Sequence, residues 1–396
     1  MNKRGDDVVI VEAVRTPIGK RHGALSTMHS ADLLAVAQQA VIERSGIDPT
    51  FVGQVVGGCI GQVGQQAFNV TRTAWLTAGL PAAVPSTTVD SQCGSSQQAL
   101  ALAFGLLKAG VIDVAVACGV EIMSRVPLGA ALAGGGFGKG IPRSYFARHK
   151  YTTQFEAAEL IAKEWGITRV DADELGVKSQ ARAADAWADS RFDTQLVHVD
   201  VPVLDDDGRP TGATQRFDRD ECLRPTTMEG LAGLKPVVGD DGIHTAGSSS
   251  QIADAASAIL LTTSSRATEL NLTPLARVRD VCLVGSDPTL MLTGPIPATE
   301  RLLQRNSLTI SDIDLIEINE AFASVVIAWE REIKPDDDRV NPNGGAIAHG
   351  HALGSTGCVL VTKAINELIR ADKETALVTM CCGGGEATGT LLERVS

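Results

Sequence analysis

Aromatic residues make up only 4% of this 396-residue chain, so its core is packed mainly from small aliphatic side chains rather than large rings. Forty glycines accompany that scarcity. They lack the periodic repeat of a fibrous protein and point to tight turns and close backbone approaches. No cluster of Lys and Arg stands out in a chain of net charge −12, which argues against nucleic acid as a partner, because phosphate binding needs grouped cations. An anionic cofactor held by a few local cations stays open. No segment approaches the ~18 to 20 apolar residues needed to span a bilayer, so no membrane association is expected. The opening "MNKRGDDVVIVEAVRTPIGK" has charge on both sides of its apolar run, without the h-region and cleavage site of a signal peptide, and a cytoplasmic location is expected. The eight cysteines (Cys59, Cys93, Cys118, Cys222, Cys282, Cys358, Cys381 and Cys382) show no CxxC spacing. That disfavours a zinc site or redox motif, so no metal is expected and most thiols should be reduced core fillers.

What is present reads as α/β. The length suggests about two or three domains. Apolar runs at "VVIVEAV", "FVGQVVGGCIG", "VPSTTVD" and "VIDVAVACGVE" predict strands, and helices are predicted over Ala31 to Ser45, Asn69 to Ala78 and from Cys93 to Lys108. Strands apolar throughout and alternating with helices predict a sheet covered on both faces, with parallel strands joined by crossovers. From about Met123 to Thr245 the texture turns Gly-rich and charged, with helical patterns over Phe155 to Trp165 and Asp171 to Asp189, and reads as an insertion. "AGSSSQIADAASAILL" then predicts a buried small-residue helix, and "LARVRDVCLVG" opens a second series with a strand. "CGSSQQALALAFGLLKAGVIDVAVACGVE" and "LGSTGCVLVTKAINELIRADKETALVTMCCGGGE" share one order of Gly-Ser, helix, turn, strand and Cys-Gly. This weak repeat predicts two similarly folded halves, with the helix at Gly94 matched by one near Gly354.

Four stretches carry candidate chemistry. In "DSQCGSSQQAL" (residues 90–100) Cys93 falls between a strand and a helix. The helix N-terminus would favour an anion there and lower the thiol pKa, making Cys93 an activated nucleophile on a tight elbow; the alternative is a buried structural thiol. In "NPNGGAIAHGHALGSTG" (341–357) His349 and His351 point opposite ways if extended. His351, nearer the helix start, is the better functional candidate. In "MCCGGGEATG" (380–389) the glycines would let backbone N–H groups approach a ligand as an oxyanion hole requires, or simply form a turn. "EINEAFAS" (317–324) places Glu317, Asn319 and Glu320 at a strand-to-helix junction, where helix capping would be explanation enough.

Together "DSQCGSSQQAL", "NEAFA", "GGAIAHGHALGSTG" and "CCGGG", with "VRTPIGK" near the start and "TAG" at 245–247, resemble the thiolases over essentially the whole chain. The resemblance implies two similar βαβαβαββ halves, an N-terminal domain over 1–270 that includes a CoA-covering insertion at 123–245, and a C-terminal domain over 271–396. It implies cleavage of a 3-ketoacyl-CoA by free CoA, or the reverse Claisen condensation. Cys93 would attack the keto carbon and carry the acyl group, and Cys381 would be the acid/base at the acetyl α-carbon. His351 would activate Cys93 and, with a water held by Asn319, stabilise the enolate oxygen. The N–H groups of Cys93 and Gly383 would hold the acyl oxyanion. Arg224, Ala246 and Ser250 match CoA contacts of relatives, and cations in that region would offset the phosphates. Coenzyme A is then a co-substrate, with no tightly bound cofactor, and a homodimer or homotetramer is expected.

Three departures from the family pattern stand out. Ala352 replaces the usual proline, removing a fixed φ beside His351. "TAGSSSQIAD" replaces an Asn-Ala-Ser-Gly version, and "YTTQFEAAELIA" lacks a His-Met pair that closes over short acyl groups. The last two lie around the expected pantetheine and acyl channel, and the departures imply a degradative enzyme for medium, branched or ring-derived substrates; "CGSSQQA" is similar to actinobacterial lipid and steroid degradation thiolases. Rival readings are a ketoacyl synthase, which lacks the second catalytic cysteine, and an inactive thiolase-like acyl-binding protein. A nucleotide-binding loop at "GGGFGKG" (134–140) lacks both a preceding strand and a Walker Lys-Ser pair.

Overall fold

A strand apolar at every position has no face to offer water, so it must lie inside a covered sheet. The computed structural model, which describes residues 6–133, 136, 138–205 and 209–395, bears this out. Its principal strands are β1 (Val8–Arg15), β2 (Gln54–Gly58), β3 (Ser86–Val89), β4 (Val114–Ile122), β5 (Ala253–Thr263), β6 (Ala276–Gly285), β7 (Leu315–Ile318), β8 (Thr375–Cys382) and β9 (Glu386–Arg394). Every residue of β4 and β5 is buried. The strands follow one another across the sheet in the order β3-β2-β4-β5-β1-β6-β9-β8-β7. The sequence implied parallel strands, and β2 does run parallel to β3 and β4, as β7 does to β8. β5 and β9, the last strand of each half, are antiparallel to both neighbours.

The predicted repeat is visible in this order. Counted within its own half, the N-terminal order is third, second, fourth, fifth, first. The C-terminal half repeats it with β7, β8, β9 and β6 as second, fourth, fifth and first. A single parallel bridge from Val340 to Ile316 marks where the missing third strand would lie. The halves join through a short antiparallel pairing of Val8–Ile10 with Ala276–Val278.

Helices α1 (Ser30–Ser45) and α2 (Val70–Thr77) cover the outer face of the first half, while α6 (Pro295–Arg305) and α7 (Ala323–Ile333) lie against the second. Between the halves run α3 (Ser95–Lys108) and α8 (Leu353–Arg370), packed on each other and on strands of both. Their closeness explains the glycines: a Cβ on Gly357 would stand 2.3 Å from the backbone nitrogen of Gln97. Polar side chains stitch the layer together. Gln97 donates to the Val378 carbonyl (3.0 Å) and to Thr390 Oγ1 (2.8 Å), and Cys358 N–H donates to Ser96 Oγ (2.9 Å).

Two expectations need correction. The segment read as a buried helix is strand β5, because "ADAASAILLTT" is an unbroken small and apolar run whose periodicity cannot separate a core helix from a central strand. Its small side chains let α8 approach, with Ser257 Oγ 2.9 Å from Ser355 Oγ. The insertion carries the two helices foreseen, α4 (Gln154–Glu164) and α5 (Arg169–Ala188), each begun by a capping box at Thr153 and Thr168. It also holds a hairpin, Val199–Leu204 with Pro210–Phe217, that the sequence reading missed. Of "GGGFGKG", Gly134, Gly135 and Phe137 lie outside the described residues. No helix among those described is long and apolar enough to cross a membrane.

Candidate active site

The chain reverses sharply between β3 and α3. Asp90 accepts from the N–H of Gln92 (2.7 Å), and Ser95 Oγ accepts from the N–H of Ser91 (3.0 Å) while donating to the Gln92 carbonyl (2.5 Å). These bonds hold Gln92 at φ 52, a left-handed conformation that a non-glycine residue adopts only when its surroundings enforce it. Cys93 follows on this strained elbow. Gly94 cannot be larger, since a Cβ there would meet Cys382 Sγ at 2.6 Å and Thr388 Cγ2 at 2.7 Å. The C-terminal half is thereby pressed directly against the nucleophile's own turn.

Cys93 is only 9% exposed. Burial pushes its thiol up to about 12, against the lowering effect of the Gly383 N–H and its own N–H; the charges of Glu121 and Asp90 add to the rise. This corrects the expectation of a depressed pKa: desolvation outweighs the helix terminus in the free protein. Burial, and then the charge of neighbouring Cys93 whenever it ionises, likewise push Cys381 up. Cys381 and Cys382 end β8 on opposite sides of the strand, paired with Ala387 and Glu386 of β9. Gly383 follows, with Gly384 and Gly385 at φ 81 and 84.

His351 is fixed on three sides. Its N–H donates to the Gln251 carbonyl (2.9 Å), Nδ1 lies 2.7 Å from Thr356 Oγ1, and Nε2 lies 3.4 Å from Asn319 Nδ2. The hydroxyl proton of Thr356 goes to the Ala352 carbonyl (3.0 Å). The hydroxyl oxygen therefore accepts from Nδ1–H, leaving Nε2 with its lone pair. Burial lowers the imidazole to about 4, so the ring is a neutral base at physiological pH. Asn319 follows β7 and donates its N–H to the Thr379 carbonyl (3.1 Å) of β8, beside Cys381. Its Oδ1 is buried without a hydrogen-bond partner, a position that suits an ordered water.

His349 is buried too. It bonds Asp220 Oδ2 (3.2 Å) and the Asn343 carbonyl (2.8 Å), and Asp220 in turn pairs with buried Arg15 (2.8 Å); these are structural ties. Capping does not account for 317–320. Glu317 pairs with Lys363 (2.9 Å), and Glu320 accepts from Ser179 Oγ (2.6 Å) and Ile347 N–H (3.1 Å). Helix α7 starts at Ala323 without a side-chain cap of its own. Of the proposed CoA contacts, Arg224 and Ala246 are exposed and joined by a hydrogen bond from Arg224 Nη2 to the Ala246 carbonyl (2.6 Å). Ser250 N–H donates to the Ala321 carbonyl (3.0 Å), next to the residue that receives the His351 N–H. Sequence reasoning missed Thr356 and Glu121. The first was legible only as the Thr of "GSTG". The second accepts from the N–H groups of Ile60 (2.9 Å), Gly61 (3.0 Å) and Gly354 (3.0 Å), tying the start of α8 to the first half.

Two predictions follow from His351 and its loop. Its unfolded value is about 6.5, so as pH falls from there toward about 4 the unfolded chain takes up a proton that the folded one refuses. Stability is expected to drop across that window by up to ~1.4 kcal/mol per pH unit, and to be insensitive to this group above it. His351→Asn should flatten the slope of unfolding free energy against pH by about one proton; an unchanged slope would contradict the assignment. Ala352 sits at φ −75, close to the proline ring value of about −65, and His351 before it is in an extended bridge to Ile252, as a following proline requires. Ala352→Pro is expected to leave turnover within about twofold and to stabilise by ~0.4–1 kcal/mol through the unfolded state, read by urea unfolding.

A buried thiol on an elbow, a second thiol at a neighbouring strand end, converging backbone donors and a neutral imidazole define an acyltransferase on a doubled α/β fold. The chain belongs to the thiolase family: residues 8–265 match the thiolase N-terminal domain and 272–394 the thiolase C-terminal domain. It is 42% identical to steroid 3-ketoacyl-CoA thiolase FadA6 of Mycobacterium tuberculosis, over 98% of this chain and 94% of that one. It is 39% identical to a beta-ketoadipyl-CoA thiolase of Acinetobacter baylyi over 98% and 99%. Among solved structures, human mitochondrial 3-ketoacyl-CoA thiolase matches with a TM-score of 0.89 and 30% identity, over 99% of each chain.

Proposed function

We propose that this thiolase cleaves a 3-ketoacyl-CoA with free CoA, using Cys93 as nucleophile and Cys381 as acid/base. The observation that carries the reading is the packing of the end of β8 against the Cys93 turn, where a Cβ on Gly94 would stand 2.6 Å from Cys382 Sγ, with the Gly383 N–H favouring the Cys93 anion. Proton transfer from Cys93 to Nε2 of His351 accompanies attack on the keto carbon, and the N–H groups of Cys93 and Gly383 receive the oxyanion. Collapse breaks the Cα–Cβ bond. The acetyl-CoA enolate is held by His351 and an Asn319-bound water and is protonated at carbon by Cys381. CoA then enters along Arg224, Ala246 and Ser250 under residues 123–245, gives its thiol proton to the Cys381 thiolate and takes the acyl group from Cys93, whose departing sulfur recovers its proton from His351. The domain division at 270/271 belongs to the same reading and follows the repeated strand order. Incubation with a 3-ketoacyl-CoA should add one acyl mass to Cys93; a peptide digest without it would favour an acyl-binding protein.

For the acyl group we infer a medium, branched or ring-derived chain processed degradatively. Support comes from the steroid and ketoadipyl relatives and from Phe155, whose ring lies edge-on to Phe322 at 5.4 Å, three residues beyond Asn319. A clear preference for acetoacetyl-CoA over longer or cyclic 3-ketoacyl-CoAs would refute it. All eight cysteines are free, which suits a reducing, cytoplasmic compartment. The uncapped edge strand β3 beside fully exposed Phe68 suits a homo-oligomer, to be sized by light scattering.

A further inference from the structure

We propose that Gln180 and Gln251 are positioning residues whose side-chain amides clamp the turn presenting His351 to the segment 222–224, a role that rests on His351 acting as the base of the reaction described above. That turn has little of its own to fix it. A single helical turn, Ala346–His349, lies between Gly344 at φ 74 and Gly350 at φ 95, conformations that glycine enters and leaves without steric cost. Its internal hydrogen bonds use the carbonyls of Gly345 and Ala346, which accept from the N–H groups of Ala348, His349 and Gly350. The carbonyls of Ile347 and Ala348 are left over, as at any helix end, and both residues are fully buried. They need partners from elsewhere in the chain.

The two glutamines supply them. Gln251 Nε2 divides its protons among the carbonyls of Cys222 (2.8 Å), Ile347 (3.0 Å) and Ala348 (3.4 Å). Gln180, on α5, donates from Nε2 to the same Ile347 carbonyl (3.3 Å) and accepts the Arg224 N–H at Oε1 (3.1 Å). Carbonyls around both nitrogens, and an N–H at the oxygen of Gln180, decide which way each amide faces. Both side chains therefore run between one carbonyl of the turn and one short segment. That segment lies directly behind the turn, since a Cβ on Gly350 would stand 2.9 Å from Cys222 Sγ. From the other side the Ile347 N–H donates to Glu320 (3.1 Å), so residue 347 is gripped at both poles of its backbone.

Gln251 holds the loop twice. Its side chain takes the Ile347 and Ala348 carbonyls, and its own carbonyl accepts the His351 N–H (2.9 Å). The imidazole leaves the main chain there, with Nε2 aimed toward Asn319 at 3.4 Å. Displacing a reacting group by about 1 Å can cost on the order of 10²-fold in rate. Both glutamines act on backbone groups, so their effect on the reaction passes through His351.

The test is a double-mutant cycle in thiolysis of a 3-ketoacyl-CoA by the full chain. Gln251→Leu and Gln180→Leu keep most of the side-chain volume and remove the amide. Each is expected to lower kcat by about 10- to 100-fold with KM changed by less than about threefold. In a His351→Asn background the same substitutions should cost less than about twofold, because the group they position is gone; a residue that merely stabilises the fold would keep its effect. Urea unfolding checks that the variants fold, and Gln180→Leu, on a helix away from the bridge between Ile252 and His351, answers the question should Gln251→Leu fail to. Parental kcat in the glutamine variants beside a crippled His351→Asn enzyme overturns the clamp and leaves the mechanism standing. Losses undiminished in the His351→Asn background overturn it as well, as does a raised KM with kcat kept, which would make the two amides substrate contacts. Parental kcat in His351→Asn itself would overturn the mechanism and the clamp together.

Discussion

Cys93→Ser is expected to lose at least ~10³-fold in kcat for thiolysis and to form no acyl adduct, with the fold retained. The reason lies in the proton balance of the site. His351 is held neutral near 4, a weak base, and in the proposed mechanism it draws a proton from Cys93 only because a thiol is far more acidic than an alcohol and the Gly383 and Cys93 N–H groups stabilise the resulting anion. A hydroxyl in the same buried position would face the same desolvation from a much higher starting value. Steady-state thiolysis together with intact-protein mass spectrometry reads both outcomes. A serine enzyme retaining a tenth of parental turnover would exclude Cys93 as the acyl carrier.

Cys381→Ala should separate the two halves of the chemistry. Acyl exchange between an acyl-CoA and Cys93 needs a nucleophile and an oxyanion hole but no carbon acid, and should persist. Carbon–carbon cleavage needs a proton delivered to the departing enolate, and is expected to fall by ~10²–10⁴-fold, the usual worth of a positioned acid/base. Exchange of the acetyl-CoA methyl protons with deuterated water should be lost in parallel. If cleavage and exchange both survive, Cys381 is a structural thiol and the ketoacyl-synthase type of mechanism gains ground. Cys382 offers the control, because its sulfur packs against Gly94 on the other side of the strand.

Much of this was legible in the chain. "DSQCGSSQQAL" announced a cysteine between strand and helix, and the paired Gly-Ser helices announced two halves, because local propensity and motif order are written residue by residue. The capping explanation of 317–320 failed for a physical reason: Glu317 and Glu320 are consumed by Lys363 and Ser179, partners 46 and 141 positions away. Strand β5 was misread because its Ala-rich run is buried on both faces, which erases periodicity.

The sequence alone determined which side chains could react, where the backbone had to turn, and that two related halves would form, since these depend on residue chemistry and short-range geometry. Only the tertiary structure decided that Cys93 meets Cys381 and Gly383, that Thr356 selects the tautomer of His351, and that burial raises one group and lowers the other. Those outcomes depend on desolvation and on contacts between distant segments, and neither exists until both halves close on the helices between them.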